Sequence, residues 1–432
     1  MNDNISLVFP YHPVNGNAIS ALIASIDTDP ELSGIQILIP NLKEDPTTVL
    51  AKIPKSHKVV LAVSLFSVQF GTYEKLVASY RRSSKIRELL VVAGGPHPSG
   101  DPFSTLHAFA DIVCIGEGEL VIRNLLKNYA DPKNIRGIAF LNKNGLVEKT
   151  EKQPIIKLDD FPPFSVKHNL FRPIEITRGC AWKCRFCQIR SRGQPVRHRS
   201  PEIVAKYVAL TVEKFKERRA DIRFISPNAL SYGASDGRTL RLDKVMELLN
   251  AVREVIGPNG RIYFGSFPSE VRPETLTPES VNILRNYSDS NSIIIGGQSG
   301  SEHVLQISDR GHTPEETKRG AKLLLDAGFE VLVDIIFGLP GERGEDVEQT
   351  IAHMKELTAL GAKIHSHTFL PLVGTPFANK KPGVIADRYK EVLPILQGSG
   401  KLKGQHLKQE NDAKLLAEQR QAMMRERKKR QH

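Results

Sequence analysis

The sequence predicts an α/β protein built from two successive series of parallel strands and helices, and three observations carry that prediction. Short β-branched runs alternate with amphipathic stretches over most of the 432 residues. Adjacent prolines without periodicity interrupt the alternation at 162–163. Three of the four cysteines crowd into one loop behind the first strand of the second series. A composition of 40% hydrophobic and 25% charged residues is that of a globular chain with real cores, which excludes general disorder.

The first series occupies residues 1–145. Its strands are ISLVF (5–9), IQILI (35–39), VVLAVSL (59–65), LLVVAGG (89–95) and IVCIG (112–116), with helical stretches near 17–26, 71–82, 102–110 and 118–129. Continuous apolar strands separated by helices require a parallel sheet covered on both faces, hence an open, flavodoxin-like (Rossmann-type) domain. Ligands in such folds sit beyond the carboxyl ends of the strands. Two Gly-rich turns are expected there, Gly94-Gly95-Pro96-His97-Pro98 and Gly116-Glu117-Gly118-Glu119.

Residues 146–172 carry charge and then Asp159-Asp160-Phe161-Pro162-Pro163-Phe164, and they read as an extended linker. The second series runs over 173–380. Its strands are 174–177, 222–226, 261–266, 292–297, 331–338 and 363–370, joined by helices near 201–219, 239–256, 277–287, 314–327 and 344–360. Six strands in succession predict a partial (β/α)6 barrel with its chemistry at the C-terminal strand ends. Residues 381–432 read as a short, basic helical extension.

No apolar run approaches the roughly 20 residues that span a bilayer, and the N-terminus lacks a secretory pattern. The expectation is a cytoplasmic protein without a membrane partner. The net charge is +12. Arg420, Arg425, Arg427, Lys428, Lys429 and Arg430 against Glu426 place much of it in the tail, and no aromatic residue for stacking bases follows Tyr389. The tail therefore suits an acidic protein or peptide better than nucleic acid.

The loop Gly179-Cys180-Ala181-Trp182-Lys183-Cys184-Arg185-Phe186-Cys187 spaces three soft thiolates as C-x3-C-x2-C. Structural zinc wants four ligands, and Cys114 lies in the other series, within an apolar strand. Three thiolates on a 4Fe–4S cluster leave one iron open to a small molecule. The loop resembles the hallmark C-x3-C-x-aromatic-C of the radical S-adenosylmethionine (SAM) superfamily, with Phe186 in the aromatic place. The resemblance implies that Cys180, Cys184 and Cys187 hold the cluster, and that the open iron chelates the amino and carboxylate groups of SAM. Reductive cleavage then yields a 5′-deoxyadenosyl radical. It further implies SAM contacts from Ser226, from Glu270 to the ribose, from Gln298 and Ser299 to ribose or carboxylate, from Arg310 to the carboxylate, and from the backbone at Leu339 to the adenine.

Residues 5–130 resemble the cobalamin-binding domain that precedes many radical SAM barrels, through the two Gly-rich turns and VSLFSVQF. This implies that Ser64, Ser67, Gly94, Gly95, Pro96, His97, Gly116, Glu117, Gly118 and Glu119 contact cobalamin. The loop that carries a cobalt-ligating histidine in some relatives, D-x-H-x-x-G, departs here to Pro10-Tyr11-His12-Pro13-Val14-Asn15-Gly16. The aspartate that would orient the imidazole is missing, so His12 is not expected on cobalt.

Together these resemblances imply a cobalamin-dependent radical SAM C-methyltransferase that moves a methyl group from methylcobalamin to an unactivated sp3 carbon. An external one-electron reductant would be needed. The layout, with His365-Ser366-His367-Thr368 and the basic extension, is similar to the archaeal group that includes the glutamine C-methyltransferase of methyl-coenzyme M reductase, implying a protein or peptide substrate. A small-molecule methyltransferase and a methylthiotransferase of transfer RNA or protein are the alternatives. The latter resembles this chain in Gln298-Ser299-Gly300 and Gly338-Leu339-Pro340-Gly341-Glu342. It needs three N-terminal cysteines and usually carries a C-terminal β domain, whereas this N-terminal third has one cysteine and the C-terminus reads as helical.

Overall fold

A computed structural model describes residues 4–84, 88–129, 131–191 and 194–429. It divides into two compact units, Met1–Arg172 and Pro173–His432.

The N-terminal unit is a seven-stranded sheet. Its strands are β1 (Ile5–Val8), β2 (Gln36–Leu38), β3 (Lys58–Ser64), β4 (Leu89–Gly94), β5 (Ile112–Cys114), β6 (Ile138–Leu141) and β7 (Val147–Lys149), in the order β2-β1-β3-β4-β5-β6-β7. The first five are parallel, which is the flavodoxin-like order, and β6 and β7 close the edge antiparallel. Ile5, Leu7, Val60, Ala62 and Val92 alternate on one face and bury against Ile19, Ile23, Val121, Ile122 and Leu125 from helices Gly16–Asp27 and Glu119–Lys127. Each such fully buried aliphatic side chain contributes about 1.5–3 kcal/mol.

The segment 146–172 corrects the linker reading. β7 pairs with β6, and Ile156, Leu158, Phe161 and Phe164 are buried in the N-terminal unit. Ser165 donates from Oγ to Asp27 at 2.5 Å, and Ser20 donates to the Leu170 carbonyl at 2.6 Å. The segment is an irregular strap, so its apolar residues follow no period that would reveal it.

The C-terminal unit is a parallel arc. β8 (Ile174–Glu175) leads into a short hairpin of β9 (Thr177–Arg178) and β10 (Arg197–His198), followed by β11 (Asp221–Ile225), β12 (Arg261–Tyr263), β13 (Ser292–Gln298), β14 (Glu330–Phe337), β15 (Lys363–Thr368) and β16 (Leu402–Gly404). The sheets β12-β11-β8 and β13-β14-β15-β16 are parallel throughout. Ile294 N donates to the Gly265 carbonyl at 3.1 Å and Asp289 N to the Ile262 carbonyl at 2.7 Å, carrying the arc across the gap between them. Helices begin where the sequence offers caps, as at Ser200 before Pro201–Lys214 and at the Thr313/Glu316 capping box before Pro314–Asp326.

The C-terminal extension is not only helical. Between helices Asp387–Gly398 and His406–Lys429 it supplies β16, a seventh strand registered as Ile364↔Leu402 and His365↔Lys403. The run KLKG gives no apolar period, and edge pairing alone makes it a strand. Tail residues up to Lys429 lie on the last helix, whereas Arg430 lies outside the described residues. Among the described residues no helix is long and apolar enough to cross a membrane.

Candidate functional site

The cysteine loop leaves β9 through Gly179 at φ 86°, where a Cβ would run into the Pro195 carbonyl. Cys187 N donates to the Cys184 carbonyl at 3.2 Å, which makes the tight turn bringing the cysteines to one side. Arg185 pins the turn from both directions: its N–H donates to the Ser308 carbonyl at 3.0 Å, and its carbonyl accepts from Phe377 N at 3.1 Å. Cys184 is buried, whereas Cys180 and Cys187 are half-buried.

Two guanidinium groups flank Cys184. Arg310 Nη1 lies 3.5 Å and Arg272 Nη1 3.9 Å from its sulfur. Arg272 stacks 3.9 Å over the Trp182 ring, donates to the Arg310 carbonyl and pairs with Glu274. Burial pushes the Cys180 thiol up, while the thiolate is favoured by Arg272 and Arg310 and, once metal coordinates, by the metal itself. This donor set, three thiols in one loop beside fixed positive charge, fits an iron–sulfur cluster with an open iron.

Phe186 and Leu339 meet in one apolar patch with Val304, Phe369, Phe377 and Ile336. Gln298 ends β13 in the left-handed region at φ 68°, and its buried Oε1 has no hydrogen-bond partner. A buried acceptor without a partner is rare enough to call for a ligand. Arg310, expected to grip a carboxylate, keeps a buried Nε without a partner. Nη2 donates to the Gly296 carbonyl at 2.6 Å and Nη1 faces Cys184. Ser299 Oγ meets Thr350 Oγ1 at 3.1 Å and accepts from Ser301 N at 3.1 Å. Ser226 likewise closes its own turn, donating to the Asn228 carbonyl at 2.9 Å. The Leu339 carbonyl accepts from Glu342 N at 3.0 Å, and a Cβ on Gly338 would meet Val384 N at 2.5 Å, so this turn packs on its own chain.

Glu270 belongs to a different group from the one expected. Burial, then the negative charge of Asp334, pushes its carboxyl up to about 7. Asp334, on β14, pairs with His365 on β15 at 2.7 Å. Sequence reasoning missed Asp334 and Arg272. A lone charge in the buried run VLVDIIF was the available signal, because charged side chains are almost never buried without a partner.

In the N-terminal unit the expected residues gather at the carboxyl ends of β3, β4 and β5. Ser64 ends β3 and Ser67 begins the turn after it, both buried. Gly95 sits at φ 98°, and a Cβ there would lie 3.0 Å from Leu65 N and O. Gly94 closes β4, Pro96 starts the next helical turn, and the buried His97 packs its ring 4.6 Å from Phe70. Gly116 N donates to Ser99 Oγ at 3.1 Å, and Glu117 accepts from Ile156 N at 3.4 Å. Gly118 caps the helix that Glu119 begins. Burial raises the Cys114 thiol to about 12, as suits an inert core residue.

Asn15 was not foreseen. It lies at the switch point between β1 and β3 and donates from Nδ2 to Tyr73 Oη at 2.8 Å and to the Ser64 carbonyl, which leaves its buried Oδ1 without a partner. That orphan acceptor beside Ser64 fits a ligand with hydroxyl or amide donors, such as cobalamin. His12 Nδ1 accepts from Val14 N at 3.2 Å, which ties the ring to its own turn.

Residues 174–354 match the profile of the Radical SAM superfamily. Among curated proteins the chain is 28% identical over 247 residues to a tRNA-2-methylthio-N(6)-dimethylallyladenosine synthase of Sulfurihydrogenibium sp., covering 55% of this chain and 53% of that protein. It is 30% identical over 233 residues to the threonylcarbamoyladenosine tRNA methylthiotransferase MtaB of Thermotoga maritima, covering 53% of this chain and 50% of that protein. The chain thus spans about half the length of these two relatives. An uncharacterized methyltransferase of Pyrococcus horikoshii is 24% identical over 337 residues, covering 74% of this chain and 69% of that protein. Two solved folds are similar. TsrM of Kitasatospora setae, a radical SAM methyltransferase with cobalamin and a [4Fe-4S] cluster bound, has a TM-score of 0.66 at 16% identity over 88% of this chain and 74% of that one. The cobalamin-dependent SAM radical enzyme OxsB has a TM-score of 0.65 at 15% identity over 81% of this chain and 51% of that one. At such identity the likeness is one of fold.

Proposed function

We propose that the protein is a cobalamin-dependent methyltransferase acting on an unactivated sp3 carbon of a protein or peptide, with an external one-electron reductant, its residues 174–354 matching the Radical SAM superfamily. The observation that carries this reading is the make-up of the N-terminal unit. Its flavodoxin-like strand order sets Asn15, Ser64, Ser67, Gly94–His97 and Gly116–Glu119 at one end of the sheet. It contains one cysteine, Cys114, buried in β5, where the methylthiotransferase reading needs three. The folds of TsrM and OxsB support the same reading, as both align over most of this chain.

When bound, the cluster and SAM supply radical initiation and cobalamin supplies the methyl group. Cys180, Cys184 and Cys187 would hold the cluster. Arg272 and Arg310 keep two guanidinium groups against the Cys184 sulfur. Phe186, Leu339 and Phe369 form an apolar wall that excludes water from a reactive centre. Gln298 Oε1 would accept from SAM. Glu270, poised near neutral pH, can hold or release a proton at its carboxyl oxygen.

The sequence relatives favour a second reading, methylthiolation of transfer RNA, since they are named for it. Anaerobic incubation with methyl-labelled SAM separates the two. Label on a peptide carbon that requires added cobalamin is the expected result. Deoxyadenosine formation should fall by at least about 10³-fold in Cys184→Ala, with no change in Cys114→Ala. Label arriving with sulfur in transfer RNA would select the second reading.

A further inference from the structure

Asp334 and His365 face one another across β14 and β15, and His367 joins them from two residues further along β15, opposite Ile336. Strand alternation puts Asp334 on the face of Ile336, which packs beside Phe186 of the cysteine loop. The group therefore lines the concave side of the arc. It is separate from the cysteines, and nothing in the radical SAM reading uses it.

Three donor atoms converge. His365 Nδ1 lies 2.7 Å and His367 Nε2 3.5 Å from Asp334 Oδ1, and the two nitrogens are 3.2 Å apart. One divalent ion with bonds of about 2.0–2.2 Å holds its ligands roughly 3.0–3.5 Å from each other; the 3.2 and 3.5 Å sides match that span, and the 2.7 Å side must open slightly to admit the ion. Protons satisfy it poorly. Both nitrogens face the same carboxylate oxygen as well as each other, so two N–H groups would oppose across the 3.2 Å contact. The rings stand nearly perpendicular, at 78°, which aims both at one point rather than stacking them. Asp334 is buried, and the negative charge of Glu270 acts on the same group.

We propose that Asp334, His365 and His367 form a second metal site, a two-histidine, one-carboxylate centre for a divalent first-row ion. Such triads leave open positions. The proposal rests on these donor atoms and not on the methyltransferase reading. Gln409 tunes the site. Its Oε1 accepts from Thr368 N at 2.9 Å, so its Nε2, 3.3 Å from His367 Nδ1, donates and keeps the proton on Nε2. Metal binding must displace that proton, and the native glutamine thus weakens the site. A carboxylate in its place would accept from both neighbours and hold His367 in the metal-binding tautomer.

The test uses the full-length protein with its cluster, dialysed anaerobically against Zn2+ in a competing chelator, with zinc and iron counted by mass spectrometry. About one zinc per chain should be retained in addition to cluster iron. His365→Ala and Asp334→Asn should each weaken zinc binding by roughly 100-fold, and Gln409→Glu should tighten it roughly 10-fold, all with iron unchanged. Unchanged iron shows that the barrel is folded and that zinc has not replaced iron in the cysteine loop. Failure to retain zinc, or equal retention by the His365→Ala/His367→Ala double variant, overturns the site. Unaltered affinity in Gln409→Glu overturns His367 as a ligand.

Discussion

The two units use one design, parallel strands with their motif residues at the carboxyl ends, yet they engage those residues differently. In the N-terminal unit the motif groups are largely taken up by their own chain. Gly95 makes room for the Leu65 backbone, Ser99 receives Gly116 N, and Glu117 receives Ile156 N. Asn15 Oδ1, buried without a partner, is an exception among the described residues. In the C-terminal unit Gln298 Oε1 and Arg310 Nε stay buried without partners, and two charged clusters, around Cys184 and around Asp334, face inward. Satisfied polar groups build a scaffold, whereas unsatisfied ones cost about 1–3 kcal/mol each and persist where a ligand completes them.

The strongest test of this contrast is Gly95→Ala. A side chain at φ 98°, 3.0 Å from Leu65 N and O, should cost about 3 kcal/mol. The expected outcome is a large fall in the melting temperature of the N-terminal unit with the cluster's iron intact. A glycine needed only for a ligand would instead leave stability unchanged and abolish cobalamin binding.

Glu342 offers a smaller effect on the barrel side. Burial pushes its carboxyl from 4.5 to about 7, although it accepts from Gly338 N at 3.1 Å and meets Tyr389 Oη at 3.1 Å. Below pH 4.5 both folded and unfolded states hold the proton. Between 4.5 and 7 only the folded state does, so stability falls as pH rises and the full penalty stands above 7. Glu342→Gln should therefore be more stable than the parent by about 2 kcal/mol at pH 8, after allowing for solvent at its half-buried edge, and should lose that advantage by pH 4.5. Melting curves at the two pH values check it. An advantage that grows on acidification would reverse the sign and remove burial as the cause.

The smallest pair of effects separates ligand-facing from structural groups on one strand end. Ser299→Ala, which strips the bond to Thr350, should lower stability by about 1 kcal/mol and leave SAM affinity intact. Gln298→Ala should do the opposite, weakening SAM roughly tenfold, or about 1.4 kcal/mol, with an unchanged melting temperature. Equal behaviour of the two variants in calorimetry would dissolve the distinction between ligand-facing and structural groups at this strand end.

Much of this molecule was legible from local pattern. Near-continuous apolar runs identified the strands, amphipathic stretches located helices such as Pro314–Asp326, and the cysteine spacing located the loop without any fold, because period and turn chemistry act over a few residues. The strap over 150–172 and the strand Leu402–Gly404 were illegible for the same reason: burial and edge pairing by distant partners shape them, not their own period. The sites divide likewise. Cys180, Cys184 and Cys187 are neighbours in sequence, but Arg272 and Arg310 reach Cys184 from 88 and 126 residues away, and Asp334 meets His365 from 31 residues away. Those meetings depend on the register of parallel strands, and a one-residue slip would turn Asp334 or His365 to the opposite face. The sequence by itself determined which elements form and where the thiols lie. Only the packing of the arc decided which charges share its concave side, because register is set by the whole core and by no single segment.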